Sequence, residues 1–551
     1  MQVSKQLVPL FSLIAMNRYL LAFAAFAFAL PSITTAGDLL SPAAADRLGM
    51  VESWHRQTGT VGGADSIIDM QVWVQRNKER GYIEVVRNLK PGEVASDSDV
   101  LRRIATDSKN AYGVEIGASE ADRLARMDVL KLKRRGIEAT IRSTKVKQVR
   151  LYMLGRDGGL WAYDAETGEV LWNVRVGQPQ NGYGTLGISD GYVTVINGTT
   201  MYRVISDERA MENSVAAGGR PLPPVRLDNI PIIGATNTET YVVIPNTRNG
   251  LECYTYEDSP GQPNLEIFAG QALAKPTRYP TSSKIGWTTE RGFFYVMETA
   301  GTPSTLFRLN IDGNADGGVT AASDERFFLG STAGRVYGIR ASRSGDVLWN
   351  RSFGEPFYQA PYVTGEHVLI ASSYGNLYCL SATDGLPVWA SPATNIDSVF
   401  AHAGNYYFGR TMAGLLTILS PDSGQSISTG GSVFIDRVVS NPETNRIYLV
   451  SSGGTVQCLR PAGAEMPTFY RDLSAPAKDA AGDEKANPEA KPSSNPFGAA
   501  EPEVGADPFG AADPASAPFG AVNGAMEDPF GVPANGAATE DPFGAADPFG
   551  N

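Results

Sequence analysis

Side chains able to do chemistry are few in this chain of 551 residues. Its three histidines, His55, His367 and His402, are scattered and make neither a metal site nor a catalytic triad. The three cysteines are Cys253, Cys379 and Cys458, and no Cys-x-x-Cys-His that would attach a haem is present. Asp312, Asn314 and Asp316, in Ile-Asp-Gly-Asn-Ala-Asp-Gly-Gly, alternate like the ligands of a calcium loop, which closes with a Glu at its twelfth position. That position is Ser323, so the segment is expected to be a turn between strands. No catalytic, cofactor-binding or metal-binding residue emerges.

The cysteines take their meaning from a repeat. Residues 149–177 read as a three-stranded meander: Leu151 to Leu154, a turn at Gly155–Gly159, Leu160 to Asp164, a second turn at Glu166-Thr167-Gly168, and then Val170, Trp172, Val174 and Val176 in alternation. Similar hairpins recur downstream. Their returning strands begin at Leu160, Met201, Leu251, Leu306, Val336, Leu377, Leu416 and Val456, at spacings of 41, 50, 55, 30, 41, 39 and 40. A period near 40 built from short strands is the signature of a β-propeller blade, so the expected fold is all-β with eight blades, seven being the alternative. Each cysteine stands two residues after its anchor, where other units hold Ala162 and Gly338. The thiols are therefore expected to be buried and unpaired, since a disulfide needs Cα atoms within about 7 Å.

Gly168, Gly345 and Gly385 each precede a tryptophan by four residues: Trp172, Trp349 and Trp389. With Ala162, Asp164 and Thr167 they complete the word Ala-x-Asp-x-x-Thr-Gly-x-x-x-Trp, and Asp384 keeps part of it before Gly385. Here the chain resembles the repeat of pyrroloquinoline-quinone (PQQ) dehydrogenase-like propellers, over residues 145–463. The resemblance implies that each Trp packs across the junction between adjacent blades. Some members bind PQQ with calcium in a central funnel and place an adjacent Cys-Cys pair beside it; this chain has no such pair. Its closer likeness is to the non-enzymatic, BamB-like members.

The flanks differ from this body. Residues 1–36 carry Lys5 and Arg18, an apolar run from Tyr19 to Leu30, and small residues up to Ala36, a secretory signal peptide too short to span a bilayer. Met16 is an alternative start. Residues 37–144 are expected to be a small α+β region: Ile68 to Val74 and Tyr82 to Val86 as a hairpin turning at 77–81, then a helix capped by Ser119 and stopped by Gly136. Residues 101–150 hold 13 Lys and Arg against 6 acids, either a solvated helix face or a docking patch for anionic partners. The last blade is expected to close beside strand 146–154 or part of the N-terminal region, with Thr468 to Tyr470 as a candidate fourth strand.

From residue 464 the composition turns to Ala, Pro, Gly and Asp, with 15 acids and 4 bases, and a disordered tail is expected. It repeats Pro-Phe-Gly around Phe497, Phe509, Phe519, Phe530, Phe543 and Phe549, six rings that could act as weak contacts on one tether. The chain's net charge of -12 thus resides almost entirely in the tail. The expected function is a non-catalytic, exported scaffold in the periplasm or cell envelope that holds other envelope proteins and binds no nucleic acid. The alternatives are a PQQ/calcium dehydrogenase and an adaptor that clusters partners through its tail.

Overall fold

The computed structural model describes residues 39–471 and 473, apart from 61, 89–96, 208 and 212–213. The signal-peptide segment and the six Pro-Phe-Gly repeats lie outside the described residues. Among these, the strands form eight sheets of three to five strands and one two-stranded hairpin. All pairing between named strands is antiparallel, as meanders with tight turns require. First strands touch between the second and third, the fourth and fifth, and the sixth and seventh sheets, which orients the first strands toward a common axis.

The core lies between the sheets. One cluster joins Tyr152, Leu154 and Leu160 of the first sheet to Val193, Val195 and Val204 of the second. The same arrangement recurs at every junction through to Phe400, Phe408 and Leu416 of the seventh against Ile447, Leu449 and Leu459 of the eighth. A further cluster returns from Tyr448, Val450 and Val456 of the eighth sheet to Met70, Leu151 and Tyr163 of the first, and closes the ring. This is the all-β propeller that the repeat predicts.

The docking residues build these junctions. Trp172 Nε1 donates to Ser206 O of the next sheet at 3.0 Å, Trp349 to Ala382 O at 3.0 Å, and Trp389 to Pro421 O at 2.7 Å. Gly385, at φ +70°, sits under Trp349, where a Cβ would come within 2.4 Å of the ring. Gly345 receives Phe307 in the same way, and Gly424 receives Trp389. Asp164 shapes its turn by accepting Glu166 N at 2.9 Å and Thr167 N at 3.0 Å, while Thr167 Oγ1 accepts Glu169 N and Asp384 accepts Leu386 N. The small strand position is explained as well. Ala162 pairs with Trp172, Gly338 with Trp349 and Cys458 with Trp54, so a small side chain faces each indole.

The fourth unit corrects the sequence register. Its second and third strands are Lys284–Thr289 and Phe293–Glu298, and Leu306 belongs to the outer strand Ser304–Asn310. The equivalent anchor is therefore Phe294, which turns the spacings of 55 and 30 into 43 and 42.

The N-terminal region is corrected too. Strand β1 (Met50–Gln57) pairs with Thr455–Pro461 and is the outer strand of the eighth sheet, so the last blade closes with part of the N-terminal region, one of the two expected partners, and neither 146–154 nor Thr468–Tyr470 fills that place. Its Trp54 donates to Ala165 O at 3.0 Å and lies on Gly168, which has φ +69°. Strand β2 (Ile67–Arg87) runs unbroken for 21 residues; the hairpin expected at 77–81 does not form. The reason is its partner. After strand β3 (Val100–Ala105), the 17-residue strand β4 (Ala139–Gly155) follows β2 along its length, and a register break between Val74 and Glu79 absorbs the polar residues. The lower half of this ribbon is the start of the first sheet, continued by β5 (Gly159–Asp164) and β6 (Val170–Arg175). Its upper half, with β3, forms an α+β module inserted between the first and second strands of that sheet.

Helix α1 (Pro42–Arg47) packs Ala45 between the seventh and eighth sheets. Helix α2 (Gly117–Arg134) seats Ala121 and Ala125 on Ile83, Val85 and Ile104 of the module. Ser119 lies inside its first turn and is not the cap, whereas Gly136 ends it at φ +78° as expected.

Trp54→Ala should cost about 3 kcal/mol in denaturant unfolding, the usual loss for a large aromatic packed at a junction. A loss below about 0.5 kcal/mol, the range of an ordinary surface substitution, would mean that β1 does not close the ring.

Candidate functional site

Because strands alternate in direction, the loops joining first to second strands and those joining third to fourth open on one face of the ring. On that face the chain's own residues 464–471 run from the eighth sheet toward the fourth and fifth. The composition boundary at 464 therefore falls nine residues before the last described residue, Leu473, which is 5% exposed in the core between the eighth and first sheets.

The fully buried Arg446 of the eighth sheet holds the start of this segment, donating Nη2 to Glu465 O at 2.8 Å. The same guanidinium clamps Glu166 of the first sheet at 2.8 and 2.7 Å. Burial works against its charge, but the Glu166 carboxylate outweighs it and raises the Arg446 pKa. Farther along, Thr468 N donates to Asn445 Oδ1 at 3.0 Å, and Tyr470 N to Glu443 O at 2.9 Å. Arg471 ends the crossing. It pairs with Glu443 of the eighth sheet at 2.7 Å and lies over the Tyr279 ring of the fourth, 5.4 Å from its centroid. It also donates to Ala321 O of the fifth sheet at 3.4 Å. The fourth and eighth sheets stand opposite each other in the ring, so this one side chain spans the channel mouth.

Two of the three histidines meet here. The His402 ring stacks on Tyr470 with centroids 4.7 Å apart, and its Nδ1 lies 3.1 Å from Thr364 Oγ1. His367 Nδ1 lies 2.7 Å from Tyr407 Oη, and that phenol ring is 5.0 Å from His402. Burial pushes the His402 pKa down to about 4, and the neighbouring His367 adds to the effect. His55 is elsewhere, on β1, 2.6 Å from Glu52. The cysteines are buried and free, and burial pushes the Cys253 and Cys379 thiols up to about 12, which leaves them unreactive. Asp312, in the turn after the fourth sheet, pairs with Arg335 of the fifth sheet at 2.9 Å.

Among the described residues no three His, Cys, Asp or Glu side chains converge as metal ligands, and Glu443, the acid at the mouth, is engaged by Arg471. The arrangement is instead a plug, tied to the inserted module. Arg103 of β3 donates to Glu465 at 2.7 Å and to Glu84 at 2.7 Å, and Glu84 also takes Arg142 and Thr144 of β4. Burial opposes ionisation of Glu84, but these hydrogen bonds hold its pKa below the usual value. Arg80 bridges Asp107 and Asp164 at 2.5 and 2.7 Å beside a cleft of about 410 Å³ between module and first sheet. None of these contacts carries a sequence motif. They join residues remote in the chain, and the only local hint was Arg471 with its flanking aromatics Phe469 and Tyr470 in an otherwise apolar-poor stretch.

The His402 pKa fixes a pH dependence. An unfolded histidine titrates near 6.5, so between there and about 4 the unfolded state binds more protons, and stability is lost as pH falls. The loss from this group is about 3 kcal/mol between roughly pH 7 and pH 4. His402→Phe should remove most of that extra acid sensitivity in urea titrations; equal losses in both proteins would contradict the assignment.

Residues 283–475 match the family model described as Outer membrane protein assembly factor BamB. No curated protein sequence matches the chain. Among solved structures it is similar to BamB from Moraxella catarrhalis, at 16% identity and TM-score 0.44, covering 56% of this chain and 91% of that one. It is similar also to the computationally designed Ika8 protein, at 15% identity and TM-score 0.43, covering 56% and 92%. Saccharomyces cerevisiae Sqt1 gives 9% identity and TM-score 0.43 over the same shares. The matched residues run from the fourth sheet to the closing segment and are built on the same docking turns as the first, and the chain is a PQQ-like β-propeller repeat protein.

Proposed function

We propose that this chain is a non-catalytic scaffold of the cell envelope, exported by its N-terminal segment, whose propeller carries interaction surfaces for other envelope proteins. The observation that carries the reading is the plug. Tyr470 and Arg471 occupy the channel mouth where a funnel-bound cofactor would enter, and they leave the loops and the inserted module as the surfaces offered to partners. The partial match to a BamB family model supports protein partners and an envelope setting. Among the described residues no helix is long and apolar enough to cross a membrane. The six Phe residues of the acidic tail add weak contacts that reinforce one another on one tether.

Titrating residues 37–551 with PQQ and calcium while following thermal unfolding tests this reading. The scaffold predicts no shift in the midpoint and no change in quinone absorbance. A saturable change in both would replace it with a quinone-dependent dehydrogenase.

A further inference from the structure

The inserted module ends in an open strand edge. In its sheet β4 has β2 on one side along its whole length, but β5 covers the other side only over residues 150–154. Among the described residues, that second side has no strand from Ala139 to Val146, and no backbone hydrogen bond reaches it from a turn or loop. Thr140, Arg142, Ser143 and Lys145 are exposed there. At about 3.3 Å per residue the edge is roughly 26 Å long, enough to template another strand.

Its chemistry selects the strand. Residues 139–148 contain Arg142, Lys145 and Lys147 and no acid. The exposed end of α2, which leads through the exposed Glu138 into β4, adds Lys133, Arg134 and Arg135. Arg142 is balanced by Glu84, so the cations left for a partner are Lys145 and the three at the helix end. A second copy pairing edge to edge would set these cations against themselves, which costs free energy when like charges face across strands. An acidic extended segment gains where a second copy loses.

We propose that residues 139–146 of β4 are a strand-addition site for an acidic, extended segment of a partner protein. Main-chain hydrogen bonds to the open edge supply the affinity, and Lys145 with the α2 terminus supplies the preference for acidic side chains. The proposal rests on the scaffold reading and names the chemistry of one partner.

The probe is a capped ten-residue peptide alternating Glu with Val and Thr, titrated by anisotropy against residues 37–551, with amide hydrogen exchange read on the complex. Binding should slow exchange of amides within 139–146, weaken with salt, and weaken roughly fivefold in Lys145→Glu. A companion peptide with Pro at alternate positions keeps the charge but cannot pair, and it should not bind. Equal binding of the proline peptide, protection elsewhere, or no binding at millimolar peptide would overturn the site. A negative result here beside an unmoved midpoint with PQQ and calcium discards the edge alone; a positive quinone titration discards the scaffold reading itself.

Discussion

The structure depends on one indole lying on one glycine. Trp54 rests on Gly168 and donates to Ala165 O, and through that contact the first strand of the chain becomes the last strand of the ring. The geometry is the one used at the internal junctions by Trp349 on Gly385 and Trp389 on Gly424. The difference is that here it joins residues more than a hundred positions apart, so the ring is closed by non-covalent pairing of the two ends of the fold. A propeller without disulfides relies on such a seam, since its three thiols are buried and free.

Closing the ring with the N-terminal strand places both ends of the fold on the eighth sheet and brings two additions to one face. The long β2–β4 ribbon rises from the first sheet as the inserted module, and residues 464–471 cross the channel mouth beside it. Arg103 joins them by binding Glu84 within the module and Glu465 in the crossing segment. The channel mouth is thereby made of the chain's own Tyr470 and Arg471, held by His402 and Glu443.

Much of this is legible in the sequence. Ala162, Asp164, Thr167, Gly168 and Trp172 announced the repeat, because each is demanded locally by a turn or by the ring that packs on it. The cysteines were legible from the repeat as well, since they share the strand position held by Ala162 and Gly338, and at Cys458 that position faces the indole of Trp54. What escaped was whatever depended on distant partners. Phe293–Glu298 looked like the start of a hairpin with Leu306 because its true partner, Lys284–Thr289, is less apolar. The polar run at 77–81 looked like a turn, since nothing local reveals that β4 will hold it extended. Trp54 was visible as a residue but not as a docking group, although Ala44, Asp46 and Gly49 before it approximate the repeat word. Arg471 and Tyr470 sat in a stretch whose composition resembles the tail, and only the ring around them shows their place.

The central claim is that the seam between β1 and Thr455–Pro461 is part of the cooperative core. Native-state hydrogen exchange measures it directly, by comparing amides of residues 50–57 with those of an interior strand such as Val368 to Ile370. The account predicts that both sets open only with global unfolding and share one free energy. Exchange of the β1 amides through a local opening far below that value, with the interior strands still protected, would contradict it.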